Sequence, residues 1–163
     1  ETMRAQRYGR IVMTTSSSFP LSLVNSLHAY HLIAFRPLRQ DEMWHHLLFL
    51  PTCGLSGAVF DWGPVGNCNA FFICGLPGGV TYALLSAQRC GRLLWVDEPS
   101  VTAWLNLHVR LPGILFSSTL LFVGAAEGSV SVPPLLVLLQ LCLSVWNGIR
   151  YAEESLVRRE RRS

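Results

Sequence analysis

A chain of 163 residues with 50% hydrophobic and 14% charged side chains has a mean hydropathy of +0.35, well to the apolar side of ordinary soluble domains. Its formal charge is only +3, and its bases, all arginine, gather at the chain ends or beside hydrophobic stretches, which excludes a continuous basic face for tracking nucleic acid. The cysteines, Cys53, Cys68, Cys74, Cys90 and Cys142, are odd in number and form no CxxC pair, so they read as small buried hydrophobes and not as a disulfide framework or metal site.

In chain order, residues 1–16 read as a basic flanking tail, 17–150 as one transmembrane helical domain, and 151–163 as an Arg-rich tail on the cytoplasmic side. The first residue is Glu, which points to a processed chain or a piece of a longer one. The opening eighteen residues, ETMRAQRYGRIVMTTSSS, share their composition with the ends of organelle transit peptides and with short basic tails beside membrane spans.

Five hydrophobic segments follow, A at 17–35, B at 43–60, C at 65–87, D at 101–126 and E at 129–149. Trp62 to Gln88 and Gly128 to Ile149 contain no Asp, Glu, Lys or Arg, and each run exceeds the roughly 20 residues a helix needs to cross the hydrocarbon core. The expected fold is therefore all-α, a polytopic transmembrane bundle of about four to five helices. Segment A is rich in Ser, Asn and His and is expected inside the bundle or only partly inserted. Gly54, Gly57, Gly75, Gly78 and Gly79, with Pro51 and Pro77, mark B and C as the expected packed core, with Pro77 bending C. In segment D, His108 and Arg110 precede Leu111-Pro112-Gly113, which calls for an interfacial first half or a protein-lined cavity around the arginine.

Arg36 and Arg39 lie between A and B, Arg89 and Arg92 between C and D, and Arg150 with the last arginines after E. The B–C and D–E connections carry Asp61 and Glu127 but no base, so the positive-inside rule makes the arginine side cytoplasmic or its organellar equivalent.

Polar residues in apolar surroundings are the candidate site. His28 and His31, three apart on one helix face, could serve a metal, a haem or a proton relay, or could hydrogen-bond neighbouring Ser, Asn and backbone groups. In DEMWHH, Asp41 and His45 are four apart, so the carboxylate could orient the imidazole as a general base requires, and His46 completes the catalytic candidates. Adjacent helical residues point about 100° apart, so His45 and His46 are not expected to share one ion, and no metal or other cofactor is assigned. Asn67, Asn69 and Asn106 suit glue between helices, and Arg110 needs a lipid phosphate, a helix carbonyl end, or an acid such as Asp97 or Glu98.

Val24-Asn25-Ser26-Leu27-His28-Ala29, Tyr30-His31, Asp41 followed by His45-His46, and Asn106 with Arg110-Leu111-Pro112 resemble the landmarks of the TRAM/Lag/CLN-homology (TLC) domain. The resemblance covers most of residues 20–150. It implies a multi-helix membrane fold of the endoplasmic reticulum or other endomembranes, in a family of ceramide synthases and of proteins that bind or regulate membrane lipids. Ceramide synthases carry a second His-and-Asp-rich stretch, where this chain reads GNCNAFFICGLPGG. The resemblance thus implies lipid binding through Arg110, His28, His31 and Asn106 ahead of acyl transfer by His45, His46 and Asp41. The alternatives are a lipid acyltransferase and a structural or pigment-binding subunit with axial histidines. Expected partners are membrane lipids, the bilayer, and an oligomer or larger membrane complex, with no nucleic acid.

Segments C and E alone carry more apolar helix than a peripheral protein leaves exposed, so the chain is expected to stay in the membrane pellet after alkaline carbonate washing; recovery in the supernatant overturns the membrane reading.

Overall fold

The computed structural model describes residues 20, 22–34, 38, 40–92 and 97–161, and of Asp41, Glu42, Cys53, Ala58 and Asp97 the backbone alone. The basic tail 1–16, Ser16 to Ser18, Arg36 and Arg39 lie outside the described residues. The fold is all-α, and no strand occurs among the described residues. Five helices follow one another: α1 (22–34), α2 (40–59), α3 (Gly63–Arg89), α4 (97–126) and α5 (Pro134–Glu160).

Among the described residues three helices, α3, α4 and α5, are long and apolar enough to cross a membrane. Only 11%, 28% and 33% of their most apolar stretches is buried, so most of that surface demands an apolar solvent. Segments C, D and E therefore become candidate spans. The ends of α1 lie outside the described residues, and α2 opens with the polar run Gln40-Asp41-Glu42.

Each long helix starts and stops for a local reason. Asp61 Oδ1 accepts the Gly63 amide at 2.9 Å ahead of α3. Helices α3 and α4 end on Gly91 (φ 70°) and Gly128 (φ 72°), left-handed positions that a glycine fills without steric cost. There Arg92 N donates to Ala87 O at 2.9 Å and Ser129 N to Gly124 O at 2.9 Å, the 6→1 closure of a helix end. Pro133-Pro134 starts α5, which runs on past the apolar stretch to Glu160. Segment E thus begins later and ends later than its apolar run, and the boundary drawn at 150/151 marks no break in the helix. Arg150 pairs with Glu153 (3.7 Å) and Glu154 (3.3 Å) along this polar end.

Three stretches widen into π-helical turns, Leu50–Leu55 in α2, Phe71–Gly75 in α3 and Asn106–Arg110 in α4. The turns in α3 and α4 end two residues before Pro77 and Pro112, and Pro51 lies inside the one in α2. A proline offers no N–H and its ring clashes with the carbonyl four residues back, so a wide turn at that point relieves the conflict without ending the helix.

The chain groups into two compact units, each made of separated stretches. Unit 1 holds residues 1–67 and 121–140, with a core of Phe49, Trp62, Leu121, Val132 and Val137. In it α1 and α2 run antiparallel. Asn25 Nδ2 donates to Gly54 O at 3.0 Å, and a Cβ on Gly54 would meet Asn25 Oδ1 at 2.3 Å, so a side chain there would make the Asn25 amide shift.

Unit 2 holds residues 68–120 and 141–163, with Ile73, Ala103, Leu105, Ile114 and Ala152 buried. Its centre is polar. Asn69 of α3 donates to Ser117 Oγ (3.0 Å) and Ser118 Oγ (3.2 Å) of α4, and Ser144 Oγ of α5 donates to Asn69 Oδ1 (3.0 Å). Ser117 passes its own proton to Gly113 O at 2.8 Å. The close approaches are at Gly113, where a Cβ would meet the Phe72 ring at 2.1 Å, and at Gly148, against Ile114 and Leu111. Gly78 and Gly79 touch nothing that a Cβ would meet, so the packed core lies on α4 and α5 more than on segments B and C.

Asn69→Ala is expected to destabilise the detergent-solubilised protein by about 1–2 kcal/mol, because three side-chain hydrogen bonds go with one amide; an unchanged denaturation midpoint refutes the knot's structural role. Helices α3 and α5 run opposite to α4, so Arg89, Arg92, Arg158, Arg159 and Arg161 share a side when the three cross, and Glu127 takes the other. Exposed Cys90, as the single remaining cysteine, is expected to react with an impermeant thiol reagent from the cytoplasmic side alone, and labelling from the opposite side reverses the orientation.

Candidate functional site

The candidate residues fall into two sets, His28, His31, His45 and His46 in unit 1, and Asn106 and Arg110 in unit 2. The side chain of Asp41 lies outside the described residues.

In unit 1 the antiparallel pairing of α1 and α2 gathers the histidines. His46 is buried, and His28, His31 and His45 are half-buried. The His28, His45 and His46 rings stand 5.2 to 6.2 Å apart between centroids, and His31 flanks His46 at 5.6 Å. His28 Nδ1 donates to Val24 O at 2.8 Å, a backbone partner of the kind expected for a histidine in an apolar helix. One nitrogen from each of His28, His45 and His46 lies within 4.8 Å of the others. His45 and His46, expected to diverge, bring their ring nitrogens near one another. Their Cβ directions differ by about 100°, but both flexible rings lean toward the same turn of α1.

In unit 2 the π turn of α4 presents Asn106 and Arg110 on one face, and both meet Tyr151 of α5. Asn106 Nδ2 donates to Tyr151 O at 3.2 Å, and the Arg110 guanidinium carbon stands 4.2 Å from the centre of the Tyr151 ring. Arg110 is 6% exposed and Asn106 2%, so both are enclosed by protein. Arg110 Nε and Asn106 Oδ1 are buried without a hydrogen-bond partner, and among the described residues no carboxylate lies within ion-pair reach of the guanidinium. Glu98, considered above as its acid, is taken. It pairs with Arg158 of α5 and accepts from Thr102 Oγ1 at 3.0 Å. A buried cation over an aromatic face, with one donor and one neighbouring acceptor left over, has the chemistry to accept an anion that also carries a hydrogen-bond donor.

Depth fits that reading. Exposed Tyr82, Trp104 and Tyr151 each sit about 10 Å along the helix from Arg89, Glu98 and Arg158 respectively, a belt of amphipathic rings such as marks a membrane–water interface. Arg110 stands deeper on α4, but its side chain reaches Tyr151 in that belt, and long helical side chains lean toward the helix N-terminus.

Of these groups Tyr151 was missed by sequence reasoning, since it falls in the stretch taken for a tail. Its one legible signal is position, an aromatic residue closing an apolar run beside Arg150. Comparisons with protein-family models, with curated proteins and with solved structures found no match for this chain.

Proposed function

We propose that this chain is an integral membrane protein that binds a membrane lipid, with the lipid's anionic head group held at Arg110 and Asn106 beside Tyr151. The observation that carries the reading is the guanidinium, 6% exposed, whose Nε lacks a hydrogen-bond partner. A phosphate oxygen satisfies that donor and neutralises the charge, and a hydroxyl or ammonium on the same head group satisfies Asn106 Oδ1. The leaflet is the arginine-rich one, because α4 enters the membrane from the side of Arg89 and Arg92. Lipid binding or regulation is also what the TLC resemblance implies, and an endomembrane such as the endoplasmic reticulum is the location that accompanies it.

Native mass spectrometry of the detergent-purified chain tests the site. The wild type is expected to retain an anionic phospholipid, and Arg110→Leu to hold it about 10- to 100-fold more weakly, the worth of one or more charge-assisted hydrogen bonds. Arg110→Lys keeps the charge without the planar fork and is expected to fall between them. A folded Arg110→Leu protein that keeps as much lipid as the wild type overturns the reading, as does a wild type that carries none.

A further inference from the structure

The histidines of unit 1 have no part in the head-group site, and their arrangement has a chemistry of its own. A tetrahedral ion about 2.05 Å from each ligating nitrogen puts imidazole centres about 3.2 Å from the metal and hence about 5.2 Å from one another. The centroids of His28 and His46 are 5.2 Å apart, those of His45 and His46 5.4 Å, and those of His28 and His45 6.2 Å. Two sides of the triangle already match, and the third closes with a movement of about 1 Å. The ligand atoms, within 4.8 Å of one another, need a comparable contraction toward the roughly 3.3 Å edge of such a site.

A second observation fixes one ligand's chemistry. Because His28 Nδ1 faces the Val24 carbonyl at 2.8 Å, the ring proton resides on Nδ1 and the Nε2 lone pair is free to coordinate. A backbone carbonyl on the remote nitrogen is the usual outer support of a metal-bound imidazole, setting the tautomer and the ring's orientation. The other ligands are held by packing, His46 with 8% exposure and His45 against the tilted Phe49 ring at 4.5 Å between centroids. The Asn25–Gly54 bond fastens α1 to α2 and so sets the spacing between the helices that supply the ligands.

The geometry points to a binding site for a zinc-class divalent cation, held by His28 of α1 and by His45 and His46 of α2. Neutral imidazoles suit zinc, and three protein ligands leave the fourth tetrahedral position to water or to an oxygen of another molecule, the pattern of open zinc sites as opposed to closed structural ones. The site is independent of the lipid reading, since it shares no residue with Arg110, Asn106 or Tyr151.

The test uses the full chain in detergent, stripped with chelator and given zinc chloride alone, with bound metal counted by elemental analysis after desalting. One zinc per chain is expected, and Co2+ in its place is expected to give the visible absorption of a tetrahedral site. His28→Ala, His45→Ala and His46→Ala should each weaken binding by about 100-fold or more, beyond the loss usual for outer-shell partners. His108→Ala and Arg110→Leu should bind zinc as the wild type does, the latter separating this proposal from the lipid site. If buried His46 cannot be replaced without loss of helical circular dichroism, the half-buried His45→Gln reads the site instead, through the loss of the Co2+ band. A wild type that binds no zinc, or a His28/His45 double alanine variant that binds it unchanged, overturns the proposal.

Discussion

A polar group enclosed by apolar helices has no water to fall back on, and that constraint governs the centre of unit 2. Asn69 answers it completely, because its amide donates to Ser117 and Ser118 and its carbonyl accepts from Ser144. Greasy surfaces do not tell helices in lipid which neighbour to choose, since the surrounding tails are equally apolar; a satisfied polar knot does. The glycines at 113 and 148 let the backbones come close enough for these short side chains to meet. Against this background Arg110 stands out. The same unit that satisfies Asn69 leaves a guanidinium nitrogen unmatched a few turns away, and an unmatched buried cation is costly unless something else occupies it.

Much of the architecture was legible in the chain because charge is the dominant cost in a bilayer. The charge-free run from Trp62 to Gln88 fixes α3 to within a residue or two, and Glu127-Gly128 stops α4 where expected. The far end of α5 was not legible. Hydropathy fades at Arg150, yet the helix continues because Arg150, Glu153 and Glu154 pair along it and Arg158 returns to Glu98. Segments A and B read as apolar, yet among the described residues neither yields a helix long and apolar enough to cross a membrane, and in α2 the stretch around Pro51 widens into a π-helical turn.

The sequence names the candidate residues but not their company. Residue type alone singles out Asn106 and Arg110, and helical spacing puts His28 and His31 on one face. It could not say that Tyr151, forty-one positions beyond Arg110, forms the floor beneath the guanidinium, because that contact depends on how α5 returns beside α4. Nor could it say that His45 and His46 converge. A helical wheel treats side chains as rigid spokes, whereas the imidazoles of His45 and His46 on neighbouring spokes both stand beside His28 of the other helix.

The wide turns ahead of Pro77 and Pro112 change how these helices should be counted. A π turn accommodates one residue more than an α turn for nearly the same advance, so the sequence gains an extra step while the rod does not lengthen in proportion. Everything beyond the turn is rotated relative to a regular wheel drawn from the helix start. In α4 the residues on either side of 106–110 thus obey two different phases, and the face that carries Trp104 is not the continuation of the face that carries Ser117 by simple spacing. The proline acts as a phase shifter as well as a breaker of hydrogen bonds, letting one continuous helix present its aromatic stripe and its serine stripe to different surroundings.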